Sequence, residues 1–210
     1  MTFFYDQQIK FYSCRPVLFK AILKPGQIKS RKCFFMDIKS HIRIVPGFPK
    51  PGINFYDIAT LLAQPRAFRE TIHQLKNRIA PFKPDILMGI ESRGFLVGAP
   101  LAVEMNLPFG MIRKKGKLPG TVLSHKYTLE YGTDEIELQP DLIPPGSRVV
   151  LIDDLLATGG TITAAAALVE KAGSVVVAGA CVIELEGLNG RAKFQAKSDT
   201  PFEALLNCPA

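Results

Sequence analysis

The chain has 210 residues, 47% of them hydrophobic and 21% charged, with a formal net charge of +7. That size and balance suit one ordinary α/β domain and exclude a wholly disordered chain, a coiled coil and a collagen-like fibre; no run of 18 apolar residues is present to make a transmembrane helix. The excess charge is local, because residues 1–35 hold seven bases and one acid while the remainder holds 19 bases and 18 acids, so net charge gives no argument for nucleic-acid binding by the whole chain.

Residues 1–35 carry eight aromatics without a clear period, and Met36-Asp37-Ile38-Lys39 reads like an ordinary start. Three readings of the segment stand: a dispensable tail or upstream translation artefact, an organellar targeting segment, or a small interaction element. The expected organisation is a basic extension over 1–35, disordered or outside the native domain, followed by a single domain over 36–210. Cys14, Cys33, Cys181 and Cys208 are widely spaced with no C-x-x-C pair, so neither a disulfide framework nor a zinc site is expected and a reducing cytosol is the natural setting.

Phe48 to Ile58 holds two X-Pro turns before an apolar run. Pro65 then fits the first turn of a helix, with Phe68, Ile72, Leu75 and Ile79 at helical spacing and Pro81 and Pro84 ending it. Ile86 to Ile90 reads as a short buried strand, followed by the turn Glu91-Ser92-Arg93-Gly94 and a small-residue helix from about Phe95 to Met105. Phe109 to Arg113 is a second strand. Residues 114–138 are polar and basic at first, then alternate, which predicts an excursion carrying a hairpin. Arg148 to Ile152 is a third strand, Asp153 to Gly160 a turn, Thr161 to Ala172 a helix stopped by Gly173, and Val175 to Ile183 a fourth strand. Strands alternating with helices predict a parallel sheet, whose ligands bind at the carboxyl ends of the strands, so the three strand-end turns fall on one rim.

The strongest local signal is Val149-Val150-Leu151-Ile152-Asp153-Asp154-Leu155-Leu156-Ala157-Thr158-Gly159-Gly160-Thr161. An apolar strand delivers two carboxylates to the rim, and a glycine-containing turn then opens a helix. Backbone N–H groups of Ala157, Thr158, Gly159, Gly160 and Thr161 can wrap a phosphate, helped by the positive helix end. No lysine follows the glycines, so this is not the loop of nucleotide triphosphatases. A phosphate on a small sugar fits better, with Asp153 and Asp154 facing ribose hydroxyls from an accessible strand end, where substitution should cost little stability. The plainer alternative is a helix N-cap with acids near the dipole.

At these residues the chain resembles the purine/pyrimidine phosphoribosyltransferase family. Gly89-Ile90-Glu91-Ser92-Arg93-Gly94-Phe95, Arg113-Lys114-Lys115-Gly116-Lys117-Leu118-Pro119-Gly120, Tyr127-Thr128-Leu129-Glu130-Tyr131-Gly132 and Pro46 to Ile58 are similar to its adenine-using members, over roughly residues 40–206. The resemblance implies a type I phosphoribosyltransferase fold: an α/β domain with a central parallel sheet flanked by helices, a small hood at about 40–62, and a flexible loop and hairpin over the site. It implies the reaction of adenine with 5-phospho-α-D-ribose 1-diphosphate (PRPP) to give AMP and diphosphate in purine salvage.

It also implies roles. Asp153 and Asp154 would hold the ribose, Ala157 to Thr161 the 5′-phosphate, and Glu91, Ser92 and Arg93 the pyrophosphate, with a cis peptide at Glu91–Ser92. Lys114, Lys115 and Lys117 would neutralise the leaving pyrophosphate, and Glu130 would handle a proton on the purine. Phe55 would stack on adenine, with Asn54 and Tyr56 beside it; Tyr56 stands where other members often carry Arg. Mg²⁺ would be held mainly by PRPP and water, with no protein metal site. A cytoplasmic homodimer that binds neither nucleic acid nor membrane completes the expectation. Two alternatives stay open: a PRPP-sensing DNA-binding regulator, and an enzyme for another purine base. His125 is left as an unassigned loop residue.

Overall fold

The computed structural model describes residues 36–129, 132–196 and 198–210. Glu130 and Tyr131 of the hairpin motif, and the whole of residues 1–35, lie outside them. The strands are β1 (Arg43–Pro46), β2 (Asn54–Asp57), β3 (Ile86–Ile90), β4 (Phe109–Lys114), β5 (Leu123–Leu129), β6 (Gly132–Leu138), β7 (Arg148–Ile152), β8 (Leu155–Leu156), β9 (Val175–Glu186) and β10 (Phe202–Pro209). The α-helices are α1 (Ala59–Leu62), α2 (Pro65–Ile79), α3 (Arg93–Met105), α4 (Gly160–Lys171) and α5 (Gly190–Gln195).

The main sheet runs β10-β9-β7-β3-β4-β6-β5, with β8 paired to β9. From β10 to β4 all neighbours are parallel, whereas β6 is antiparallel to both β4 and β5. The sheet is therefore mixed, a refinement of the expected parallel one: a hairpin needs only a short turn and must pair antiparallel.

Both faces of the parallel part are buried, and the period-two alternation of its strands divides two cores. Leu87, Val150 and Ile152 face one core with Leu75, Ile79 and Leu101 from α2 and α3. Met88, Ile90, Val149 and Leu151 face the other with Ile162, Leu168 and Phe194 from α4 and α5. Helix α2 opens on Pro65 and buries Ala67, Thr71, Ile72, Leu75 and Ile79, one stripe of a 3.6-residue repeat. Cys181 is fully buried among these side chains and packs as a small hydrophobe.

β1 and β2 form a separate two-stranded sheet in the register Arg43↔Asp57 to Pro46↔Asn54. An Arg43–Asp57 ion pair and a Gly47 N–H bond to the Ile53 carbonyl (2.8 Å) close it. Tyr56 ties it to the far edge of the main sheet: its hydroxyl donates to the Pro209 carbonyl at 2.8 Å.

Candidate active site

Because β3, β4 and β7 are parallel neighbours, their carboxyl ends bring three turns together. Glu91-Ser92-Arg93 follows β3, Lys114 closes β4, and Asp153-Asp154 follows β7. Gly94 is what lets the first and third meet. A Cβ there would stand 2.6 Å from the Ile152 carbonyl oxygen and 3.2 Å from Asp153 Cα, so only glycine lets the start of α3 press on the end of β7.

That approach sets Arg93 Nε 2.8 Å from Asp154 Oδ2. Asp154 is 4% exposed, and its carbonyl accepts the Val182 and Ile183 amides at 3.1 and 3.0 Å. The accessible strand end expected for both acids is thus corrected for Asp154, which is buried and committed to an arginine. Asp153 is half-buried and keeps its carboxylate at the rim, accepting the Asp154 N–H at 2.9 Å. Burial, and then the neighbouring Asp154, push the Asp153 carboxyl well above the usual carboxylate range. A desolvated carboxylate of this kind gains from arriving hydroxyl donors or positive charge.

The two acids are therefore expected to behave differently. Asp153→Asn should raise KM for PRPP about tenfold or more, the scale of a lost hydrogen bond to a charged group, without lowering the melting temperature. Asp154→Asn should lower the melting temperature by roughly 2–8 °C, because it removes about 1–2 kcal/mol from a pair whose arginine is partly in water. Substrate kinetics with thermal melts of both variants checks this; equal melting temperatures would mean that the buried pair contributes nothing.

The turn from Ala157 to Thr161 has the shape of a cradle for a phosphate-sized anion. Gly159 precedes α4 at φ +74°, and a Cβ on it would lie 2.4 Å from the Gly190 carbonyl oxygen. Glycine is required both for the left-handed backbone and for the packing of α5 against the turn. Asp153, residues 155–162 and Phe202 line a pocket of about 110 Å³, room for a phosphate-sized group. Amides at the start of the twelve-residue α4 add their partial positive charge.

A second pocket of about 160 Å³ adjoins across Thr161, between Glu91, Ile112, Lys114, Tyr127 and Asp134. The Tyr127 hydroxyl lies 3.4 Å from Thr161 Oγ1 and 3.5 Å from Asp134 Oδ2, which fastens the hairpin to the cradle. Burial raises the Tyr127 hydroxyl above its ordinary pKa. His125, expected in a loop, lies within β5 opposite Ile136 and lines a neighbouring cleft with Tyr127, Gly160 and Lys193.

The lysines expected to face pyrophosphate are all ion-paired. Lys114 meets Asp134 at 3.1 Å, Lys115 meets Glu135 at 2.8 Å, and Lys117 meets Glu91 at 2.9 Å. Side-chain bonds to Asp134 and Glu135 raise the Lys114 and Lys115 pKa values. Glu91 also takes Arg113 at 3.1 Å. Although burial opposes it, hydrogen bonds from Lys117, the Lys114 amide and Arg113 lower the Glu91 carboxyl to about 2. In the sequence Arg113 is marked only as a strand end and motif residue; the structure makes it part of the rim. The Glu91–Ser92 peptide is cis, as expected.

From the hood, Phe55 reaches this cluster. Its ring lies 5.5 Å from the Arg93 guanidinium and meets Phe48 edge-on at 5.1 Å. Asn54 is half-buried beside it. Tyr56 differs from the expectation: strand alternation turns its side chain into the core, 5% exposed, so only its backbone is left to read a base. Tyr56→Phe is expected to cost about 1 kcal/mol and roughly 2–4 °C of melting temperature, with KM for the base within twofold of wild type. A large rise in that KM would return the hydroxyl to the base site.

The phosphoribosyl transferase domain family matches residues 57–203. An adenine phosphoribosyltransferase from Rhodospirillum centenum is 56% identical over 172 residues, covering 82% of this chain and 98% of that protein. The crystal structure of adenine phosphoribosyltransferase from Thermoanaerobacter pseudethanolicus superposes with a TM-score of 0.78 at 44% identity, over 83% of this chain and 99% of that one. The Saccharomyces cerevisiae enzyme, complexed with an imino-altritol bisphosphate and adenine, superposes with a TM-score of 0.76 at 37% identity, over 82% and 98% of the two chains.

Proposed function

The chain belongs to the phosphoribosyl transferase family, and on that premise we propose that it catalyses adenine + PRPP → AMP + diphosphate, a purine-salvage reaction. The observation that carries this reading is the rim itself: a phosphate cradle, a desolvated carboxylate and a cluster of bases meet at the ends of three parallel strands, under an aromatic hood. The relatives of the chain named for adenine make adenine the base.

In this mechanism Ala157 to Thr161 hold the 5′-phosphate and Asp153 the ribose hydroxyls. As the bond from C1 to pyrophosphate breaks, positive charge grows on the sugar, and Asp153 stabilises it at close range. Asp154 acts through Arg93, fixing the guanidinium where it meets both the pyrophosphate and the ring of Phe55. Ser92, Arg113 and the lysines at 114, 115 and 117 draw off the negative charge of the leaving group. Adenine stacks on Phe55 with Asn54 and the Tyr56 backbone beside it, N9 attacks C1 from the face opposite the leaving group, and Glu130 takes up the purine proton.

The residues present fit Mg²⁺ as a PRPP-borne ion. With Asp154 held by Arg93, Asp153 is the carboxylate left to approach the ion. Mg²⁺ usually keeps substrate phosphates and waters as ligands. When bound, it would neutralise charge on the pyrophosphate.

The enzyme works as a cytoplasmic homodimer in this reading. Exposed Leu96 and Val103 on the outer face of α3 favour an apolar partner surface. Among the described residues no helix is long and apolar enough to cross a membrane. Residues 1–35 contribute nothing to turnover: a chain starting at Met36 is expected to fold, dimerise and keep kcat/KM within about threefold, a difference of ~0.65 kcal/mol. An insoluble or inactive product would make the segment part of the domain. The reaction is tested by mixing purified protein with adenine and PRPP, with and without Mg²⁺, and following AMP and diphosphate. Failure to release diphosphate under any condition would overturn the assignment.

A further inference from the structure

Glu91 is the carboxylate on which the cations of the rim converge. Its side chain is 9% exposed. Oε1 accepts from Arg113 Nη2 at 3.1 Å and from Lys117 Nζ at 2.9 Å, and Oε2 accepts the Lys114 backbone N–H at 2.9 Å. Arg113 Nη1 donates in turn to the Lys117 carbonyl at 3.1 Å. Carboxylate, guanidinium and loop backbone thus close a ring of contacts. The rest of the basic loop is strapped to β6, through the Lys115 N–H to the Glu135 carbonyl at 3.0 Å and the Gly116 N–H to Glu137 Oε2 at 2.9 Å.

One carboxylate facing two cations leaves positive charge unspent, and pyrophosphate offers more anionic oxygens than a carboxylate does. We propose that Glu91 is a positioning residue that serves as a resident counter-ion: without ligand it holds Arg113 and Lys117 at the rim, and pyrophosphate competes with it for the same two cations. Holding them spares the loop from ordering anew each time PRPP arrives. The competition also limits how tightly the pyrophosphate product is retained, and so favours its release. This deepens the proposed function and rests on it, because it takes Arg113 and Lys117 to be ligands of pyrophosphate.

Glu91→Gln removes the charge and keeps the size. Titrating pyrophosphate with Mg²⁺ into the variant by calorimetry is expected to give binding about three- to fivefold tighter than wild type, the scale of one part-exposed ion pair. The KM for PRPP is expected to fall in step with the pyrophosphate Kd, by about the same three- to fivefold. A merely structural Glu91 gives the opposite pattern, with looser pyrophosphate and a higher KM for PRPP. Pyrophosphate affinity unchanged or weaker in the variant overturns the proposal. If Glu91→Gln does not fold, Glu91→Asp stands in, since its shorter carboxylate falls short of Lys117: a smaller tightening supports the proposal, and none overturns it. Wild-type turnover of adenine and PRPP in the same run reports on the enzymatic reading separately. If it is absent, that reading falls; if it is present while the variant binds pyrophosphate no more tightly, only the counter-ion role falls.

Discussion

Glu130→Gln is expected to retain binding of PRPP and adenine while lowering kcat by about 10²–10⁴, the usual range for a positioned proton-transfer group. Adenine must redistribute a proton as N9 becomes a glycosidic nitrogen, and a carboxylate near the ring can take it. Residue 130 follows β5 and precedes β6 in the chain. Those strands are fastened to the phosphate cradle by Tyr127 at Thr161 and to the basic loop by Asp134 at Lys114. The described strands on either side of residue 130 are therefore tied to the Ala157–Thr161 turn and to the basic loop. Gln preserves size and hydrogen bonding but cannot exchange the proton, so it separates positioning from acid–base work. A hydrogen-bond-only role would cost nearer tenfold, matching ~1.4 kcal/mol. Single-turnover rates at saturating substrates check this, and a wild-type rate would exclude Glu130 as the proton carrier.

How much of this was legible in the sequence varied with how local the signal is. Helix α2 and strands β3 and β7 follow from spacing and apolar runs, and the observed bounds agree with the reading. The glycine turn that opens α4 was legible because adjacent acids and glycines stand in consecutive residues.

Strand β10 was not legible. Phe202-Glu203-Ala204-Leu205-Leu206 has helix-forming residues in a short apolar run, and it becomes a strand because β9 offers an open edge in the register Phe202↔Gly179. The hairpin of β1 and β2 was hidden for a similar reason, since four-residue strands with a Pro-rich turn give too few alternations to count.

Within the site, the unequal roles of Asp153 and Asp154 depend on α3 closing over β7 at Gly94, a contact between residues some sixty apart. The Arg113–Glu91 pair depends on β4 lying beside β3, with Ile90 opposite Ile112. The pairing of every loop lysine with an acid could not be read from a run of bases, because the partners come from β6 and from the turn after β3.

In the proposed reaction this rim joins PRPP to adenine in particular. In the proposed base site, backbone groups of the hood and the ring of Phe55 would read the base. A site that donates to N1 and accepts from a 6-amino group leaves buried groups unpaired against a 6-oxo base, a mismatch that discriminates strongly. The direct measurement is kcat/KM for adenine, hypoxanthine and guanine, each with saturating PRPP and Mg²⁺. Adenine is expected to exceed the other two by at least about 100-fold; turnover of hypoxanthine at a rate comparable to adenine would contradict the account.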